Sequence, residues 1–450
     1  MGNLHFSRYV KFSSHVTDFL DLQGQSQSGG DRIMRIERNL HLRKLTDCRH
    51  NGMIKVITGM RRCGKSYLLF RLFHEYLLKK GIDEQHIIQV ALDIRRNTPL
   101  RNPDKLCGHV ESQIRDSGMY YILLDEVQML EDFESVLNEF LHYDNVDVYV
   151  TGSNSKFLSS DIITEFRGRG YEIHIQPLSF AEYLPAHGGE PFKAWEDYLR
   201  YGGLPFLLSL KTDEQKSNYL KSLFEEVYKK DILERNKVRY PSELENVIDI
   251  LSSAVGSLTN PFNLSKSFLS LIKRKIAPAT VARYCEYLEN AFLVSKAKRY
   301  NIKGKCYIST PFKYYFEDVG LRNAHLNFRQ NEENHLMENI IYNELRLRGY
   351  NVDVGIIGLR DRDTHGRQQR TELEVDFVAN QGSRRFYLQS AFRIYDDEKR
   401  EQENRPLRQI DDSFKKIIVT GEHTKPWHNN DGFLIVNIQD FLLNPNSLEL

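Results

Sequence analysis

Residues 53–69, Met-Ile-Lys-Val-Ile-Thr-Gly-Met-Arg-Arg-Cys-Gly-Lys-Ser-Tyr-Leu-Leu, constrain this 450-residue chain more than any other stretch. Lys55-Val56-Ile57-Thr58 has the β-branched composition of a buried strand, and Tyr67 to Phe73 continues as a helix. Between them runs Gly59-Met60-Arg61-Arg62-Cys63-Gly64-Lys65-Ser66-Tyr67. Its glycines let backbone N–H groups curl around a polyphosphate with no Cβ in the way, and the helix N-terminus adds partial positive charge. In such a loop Lys65 reaches the β- and γ-phosphates, Ser66 takes a position on Mg²⁺, and Gly59 through Tyr67 line the nucleotide. The plainer alternative is a glycine turn before a helix; the flanking strand and helix argue against it.

A second group of residues follows at a matching distance. Tyr120-Tyr-Ile-Leu-Leu is apolar throughout and ends in Asp125-Glu126. Asp125 is expected in the Mg²⁺ shell, and Glu126 as the base that polarises the attacking water. Val146 to Val150 is another buried strand, ending in Thr151, Ser153 and Asn154, which either sense the γ-phosphate or form a turn and helix cap. Arg169, in Phe166-Arg-Gly-Arg-Gly170, is either an arginine finger or a partner for acids in a helical lid. Cys63 is a redox brake on the loop or simply a small residue at a permissive position. Strands at His86–Leu92, Tyr120–Asp125 and Val146–Thr151, alternating with helices near Leu106–Asp116 and Phe133–His142, imply an α/β fold with a parallel sheet covered on both faces.

The length predicts several domains. Residues 1–33 read as poorly ordered, with a linker-like Gly24–Gly30; Met34 opens the first coherent pattern, an alternative start, and Ile36–Leu45 is an amphipathic helix. A nucleotide domain is expected over 34–180 and a helical lid over 181–240. Over 241–325 the helices Asn263–Lys273 and Pro278–Asn290, with a small hairpin at Ala291–Tyr300 and Lys305–Ser309, predict a winged helix-turn-helix. Over 326–450 a helix at His335–Leu345 and strands at Tyr350–Ile357, Leu373–Ala379, Phe386–Ala391 and Lys416–Thr420 predict a second α/β domain, interrupted by a charged loop Arg360–Arg370.

Lys and Arg number 62 against 61 Asp and Glu, so any nucleic-acid affinity must be local. One local excess exists. Lys266, Lys273, Arg274, Lys275, Arg283, Lys296, Lys298, Arg299, Lys303, Lys305 and Lys313 face only Glu286 and Glu289, which suits either DNA phosphates or an internal module. Five scattered cysteines form neither a zinc motif nor a disulfide framework and suit a reducing cytoplasm. No apolar run approaches a membrane span, and Phe6 breaks the myristoylation pattern after Gly2.

Taken in order, Gly59–Ser66, Leu124-Asp125-Glu126-Val-Gln128, Thr151-Gly-Ser153, Gly168-Arg169, Pro177-Leu-Ser-Phe180, Tyr201-Gly-Gly203, Tyr315-Phe-Glu-Asp318-Val-Gly-Leu-Arg322 and Glu338-Asn339 resemble prokaryotic AAA-type ATPases with a C-terminal region called domain of unknown function 4143. The resemblance covers roughly residues 34–445. It implies ATP and Mg²⁺ as cofactors and a restriction-endonuclease-like C-terminal domain. In that fold an acid on the first helix, an acid on a strand and a Glu-x-Lys share a metal. Glu338 and Asp376 match, but Gln389-Ser390-Ala391 stands at the Glu-x-Lys position, so the site is expected to be degenerate; Glu372 and Glu374 share a strand face with Asp376. The leading expectation is a cytoplasmic Mg²⁺-dependent ATPase acting as a nucleotide-driven switch, with DNA and a second copy of the chain as candidate partners and no membrane. The alternatives are an ATP-regulated nuclease of a defence or mobile-element system and a DNA-binding adaptor with structural ATP.

Overall fold

Five short strands, nearly continuous in buried apolar residues, form a sheet: β1 (Ile54–Thr58), β2 (Ile87–Ala91), β3 (Tyr120–Asp125), β4 (Val146–Thr151) and β5 (Gly170–His174). Strands apolar on both faces need helices on both, and every pairing here is parallel, in the order β2-β3-β4-β1-β5. The order decides where chemistry can occur. β4 lies between β1 and β3, so the glycine loop after β1 and the acids ending β3 stand about 10 Å apart, two strand spacings, at the same end of the sheet. A buried Lys55–Asp147 ion pair, with Tyr149 and the His50 amide also donating to Asp147, links β1 to β4 inside this core.

The computed structural model describes residues 35–152, 166, 168–329, 332–362, 368–393 and 397–450. The segment expected to be poorly ordered, 1–33, and the candidate phosphate sensors Ser153 and Asn154 lie outside the described residues.

After β5 the chain is helical. Phe180–His187 is closed by a capping box between Ser179 and Glu182. Proline in the first turn starts Pro191–Tyr201, Pro241–Ser253, Pro261–Ile272 and Pro278–Asn290, where a missing N–H costs nothing. Asp213–Glu226 runs on through a π-helical stretch, Val227–Glu234, into one long helix.

The strands that follow correct two expectations. β6 (Val294–Asn301) and β7 (Cys306–Phe316) form a hairpin, and β6 also pairs in parallel with β8 (Asn351–Arg362). The hairpin therefore extends a sheet made with β9 (Gln368–Gln381), β10 (Arg384–Ala391), β11 (Lys415–Thr420), β12 (Trp427–His428) and β13 (Leu434–Asn437), in the order β12-β13-β11-β10-β9-β8-β6-β7. The boundary expected at 325/326 is crossed by an eight-stranded sheet. Within the charged Arg360–Arg370 stretch, expected as a loop, the described residues are strand: the β8–β9 ladder runs out to Arg362 opposite Gln368. Cross-strand pairing outweighs the low β-propensity of its polar residues.

One buried carboxylate joins the helical region to this sheet. Asp318 accepts the amides of Gly203 at 2.8 Å and Leu321 at 3.0 Å. A Cβ on Gly202 would stand 2.3 Å from Asp318 Oδ1, and one on Gly320 only 1.8 Å from the Tyr201 carbonyl, so both positions require glycine. Asn339 brackets the Phe316 backbone, accepting its amide at 2.8 Å and donating to its carbonyl at 2.7 Å. Tyr201-Gly-Gly203, Asp318-Val-Gly320 and Glu338-Asn339, far apart in sequence, are thus joints of one assembly.

Candidate nucleotide-binding site

At the C-terminal end of β1 the chain turns through Gly59 (φ 139°), Arg62 (φ 66°) and Gly64 (φ 101°) before the helix beginning Lys65-Ser66-Tyr67. Gly59 has no substitute: a Cβ there would lie 2.2 Å from the Ile175 carbonyl. The Lys65 ammonium bends over the loop and donates to the carbonyls of Gly59 (3.0 Å) and Met60 (2.9 Å), bonds that a phosphate oxygen can replace. Cys63 is fully buried and its side chain faces inward, which fits a small packing residue rather than an exposed redox switch.

Two groups hold the loop from outside. Arg38, 2% exposed, donates through Nη1 to the Cys63 carbonyl (2.9 Å), through Nη2 to the Gln176 carbonyl (2.7 Å) and through Nε to Glu182 (3.0 Å). It ties the loop to the link after β5 and to the first lid helix. Arg61 leaves the loop and makes a two-pronged pair with Asp231, Nε–Oδ2 2.5 Å and Nη2–Oδ1 2.8 Å, on the π-helical stretch. The sequence signalled neither partner: Arg38 lies 25 residues from Cys63 and 144 from Glu182, and Arg61 lies 170 from Asp231.

The acids ending β3 face this loop. Asp125 is buried and receives a hydrogen bond from the hydroxyl of Thr151; burial, the larger effect, pushes its carboxyl up to about 6. Ser66 opens the helix after the loop and Asp125 ends β3, so the two residues expected to share a metal stand at the same end of the sheet. Glu126 adopts a left-handed conformation (φ 52°), its amide donating to Thr151 Oγ1 at 3.1 Å and its carboxylate accepting from Gln128. Thr151 is fully buried, its hydroxyl donating to the Asp125 carboxylate and accepting the Glu126 amide. Asp93, just past β2, joins the same rim: burial and then the Glu126 charge raise its carboxyl. The sequence reading passed over Asp93, although an acid at the tip of an apolar strand was the signal that picked out Asp125.

Arg169 is not part of this cluster. It precedes Gly170, which pairs with Ile54 at the start of β1, so it sits at the opposite end of the sheet, roughly 13 Å along the strand from Thr58. Its side chain is exposed. This placement sets Arg169 apart from its own glycine loop, which leaves a finger acting across an interface or a structural partner for acids as the two readings.

The C-terminal acids hold a surprise of a different kind. Glu338, on helix Glu333–Leu347, and Asp376 and Glu374, on β9, converge on the ammonium of Lys313 from β7, at 2.7 Å, 3.6 Å and 2.7 Å respectively. Lys313 and Arg299 belong to the basic excess that suits either DNA phosphates or an internal module, and both are buried: Lys313 is 2% exposed, and Arg299 is 5% exposed and paired with Glu372. Gln389 accepts the Asp376 amide at 3.4 Å, and Ser390 N donates to Asp376 Oδ2 at 2.8 Å. Burial, with Glu338 next in weight, pushes the Asp376 carboxyl up to about 8. Among the described residues no group of three or more His, Cys, Asp or Glu is arranged to hold a metal, and no helix is long and apolar enough to cross a membrane.

Comparison with known proteins adds to this geometry. A family described as "AAA domain" matches residues 51–184, and one described as "Domain of unknown function (DUF8612)" matches 192–332. The latter replaces the expected domain of unknown function 4143, and it spans the helical region and hairpin rather than the C-terminal strands. The chain is 24% identical over 406 residues to the uncharacterized protein MJ1544 of Methanocaldococcus jannaschii, covering 86% of this chain and 85% of that protein. Against the Aeropyrum pernix ORC1 protein in complex with DNA, overlap covers 65% of this chain and 93% of that one at 12% identity, with a TM-score of 0.27 that supports no further argument. An uncharacterized protein of Haemophilus influenzae is 32% identical over 414 residues, covering 91% of this chain and 98% of the relative. The chain therefore belongs to the same family as the Haemophilus influenzae protein, with an AAA domain built on a parallel five-stranded sheet.

Proposed function

We propose that the protein is a Mg²⁺-dependent ATPase in which nucleotide turnover changes how the lid helices engage the glycine loop. The observation that carries this reading is the meeting, at one end of the sheet, of Lys65 and Ser66 on the glycine loop with Asp125 and Glu126 at the end of β3. Loop amides and Lys65 bind and orient the phosphates. Ser66 and Asp125 would hold Mg²⁺, which would neutralise phosphate charge during the reaction. Glu126 orients the attacking water and accepts its proton, while Thr151 holds both acids in register. Switching would pass through Arg61–Asp231, since any shift of the loop on phosphate binding pulls on the long lid helix.

The test is Glu126→Gln. The amide cannot take the water's proton, so ATP and Mg²⁺ still bind while phosphate release falls by about two to four orders of magnitude. Turnover at the wild-type rate would remove Glu126 from the role.

A second reading, DNA contact, draws on the helices Pro261–Ile272 and Pro278–Asn290 with the β6–β7 hairpin, which follow a winged helix-turn-helix order. Lys273, Arg274 and Lys275 are exposed in the turn between the helices. Neutralising all three should weaken binding evenly across sequences and flatten its salt dependence; no binding at low salt removes this reading.

A further inference from the structure

Lys313 leaves its own hairpin and enters the C-terminal unit. Its side chain is 3% exposed, and its Nζ stands 2.7 Å from Glu338 Oε1, 2.7 Å from Glu374 Oε1 and 3.6 Å from Asp376 Oδ1. An ammonium has three N–H donors, and here three carboxylates surround it. The cage is closed on other sides as well. Tyr315 donates to Glu338 Oε1 at 2.6 Å, Ser390 N donates to Asp376 Oδ2 at 2.8 Å, and a Cβ on Gly256 would lie 3.1 Å from Glu338 Oε2.

Glu338 and Asp376 are buried while the Glu374 side chain is 30% exposed; carboxylates so close together cannot all stay charged without a cation, because the desolvation cost of each buried one is several kcal/mol. Here the centre of the cage already holds a covalently tethered positive charge, and the acids are not arranged to hold a metal beside it.

We propose that Glu338, Glu374 and Asp376 form a cation-binding pocket whose resident cation is the Lys313 ammonium, so that the pocket takes no divalent metal while β7 is docked and becomes a hard divalent-cation site when the ammonium is removed. Lys313 thus serves two ends. It locks the hairpin to β9 and the helix Glu333–Leu347, and it competes within the chain for the place a metal would fill. Neither depends on nucleotide chemistry at the glycine loop.

The experiment titrates Mn²⁺ into full-length, nucleotide-free protein and reads free Mn²⁺ by electron paramagnetic resonance. Lys313→Met keeps the length of the side chain without the charge. Wild type and Asp376→Asn should bind Mn²⁺ identically, any uptake at the glycine loop being common to both. Lys313→Met should bind one additional Mn²⁺ per chain, lost again in Lys313→Met/Asp376→Asn. Circular dichroism establishes that each variant is folded. Should Lys313→Met not fold, melting of wild type and Asp376→Asn in Mn²⁺ against EDTA decides: equal shifts support the proposal. A Mn²⁺-dependent rise in wild-type Tm that Asp376→Asn abolishes overturns it, as does a folded Lys313→Met with no additional Mn²⁺. Mn²⁺-dependent cleavage of DNA by wild type, lost in Asp376→Asn, would likewise overturn it and mark a working nuclease.

Discussion

Arg38→Ala should both unfold the protein more readily and weaken nucleotide binding, because one guanidinium holds three segments. Its three bonds go to the Cys63 carbonyl in the glycine loop, the Gln176 carbonyl after β5 and the Glu182 carboxylate of the lid capping box. With side-chain exposures of 3% for Arg38 and 10% for Glu182, solvent screens the pair little. A hydrogen bond to a charged group contributes about 1.5–3 kcal/mol, and removing one partner of a buried pair costs about 3–5 kcal/mol. The bonds share one group and do not add, so a loss of about 4 kcal/mol is expected, a large part of a typical 5–15 kcal/mol. Urea unfolding followed through tryptophan emission suits this test, since Trp195 is buried in the lid beside Phe180 and reports on the region Arg38 anchors. Arg38→Lys distinguishes geometry from charge. A single ammonium cannot span three acceptors from three segments, so lysine should recover little of the stability and little of the ATP affinity measured by calorimetry. If Arg38→Lys matches wild type in both urea midpoint and ATP affinity, the guanidinium's bridging role is wrong.

Lys65→Ala should abolish ATP binding with the fold intact, because the loop's phosphate charge would be met only by backbone dipoles; unchanged affinity in calorimetry refutes the loop's role. Arg169→Ala should leave ATP binding unchanged and lose hydrolysis, and mixing it with Lys65→Ala should restore some turnover if the finger acts between copies; failure to complement assigns Arg169 a structural role. Asp318 gives a pH signature. Burial lifts its carboxyl from 3.8 to about 6 in the folded state, so the folded chain binds that proton more tightly than the unfolded one. The associated stability is complete below about pH 4 and lost as pH rises through about 6; two units at about 1.4 kcal/mol each give about 3 kcal/mol. The stability difference between wild type and Asp318→Asn should shrink by that amount over this range, and a flat difference would refute the assignment.

The local elements of the nucleotide domain were legible in the sequence because each is set by short-range rules. β-branched residues before Gly59 make a strand, glycines at positive φ turn it, Lys65-Ser66 opens a helix, and an apolar run ending in Asp125-Glu126 makes the next strand of the site. The same rules marked the start of Pro278–Asn290 at its proline, whereas the helix expected from Asn263 begins at Pro261. They could not assign partners across long separations. Arg38 reads in sequence as one charge on an amphipathic helix, Arg61 as one loop residue among several, and Lys313 and Arg299 as members of a basic patch. Only tertiary packing turned Arg38 toward the Cys63 carbonyl, Arg61 toward Asp231, and Lys313 into a carboxylate cage belonging to another part of the sheet. The physical reason is that backbone preference acts over a few residues, whereas a buried charge takes its partner from whatever the fold brings within about 3–4 Å, and sequence distance does not enter that condition.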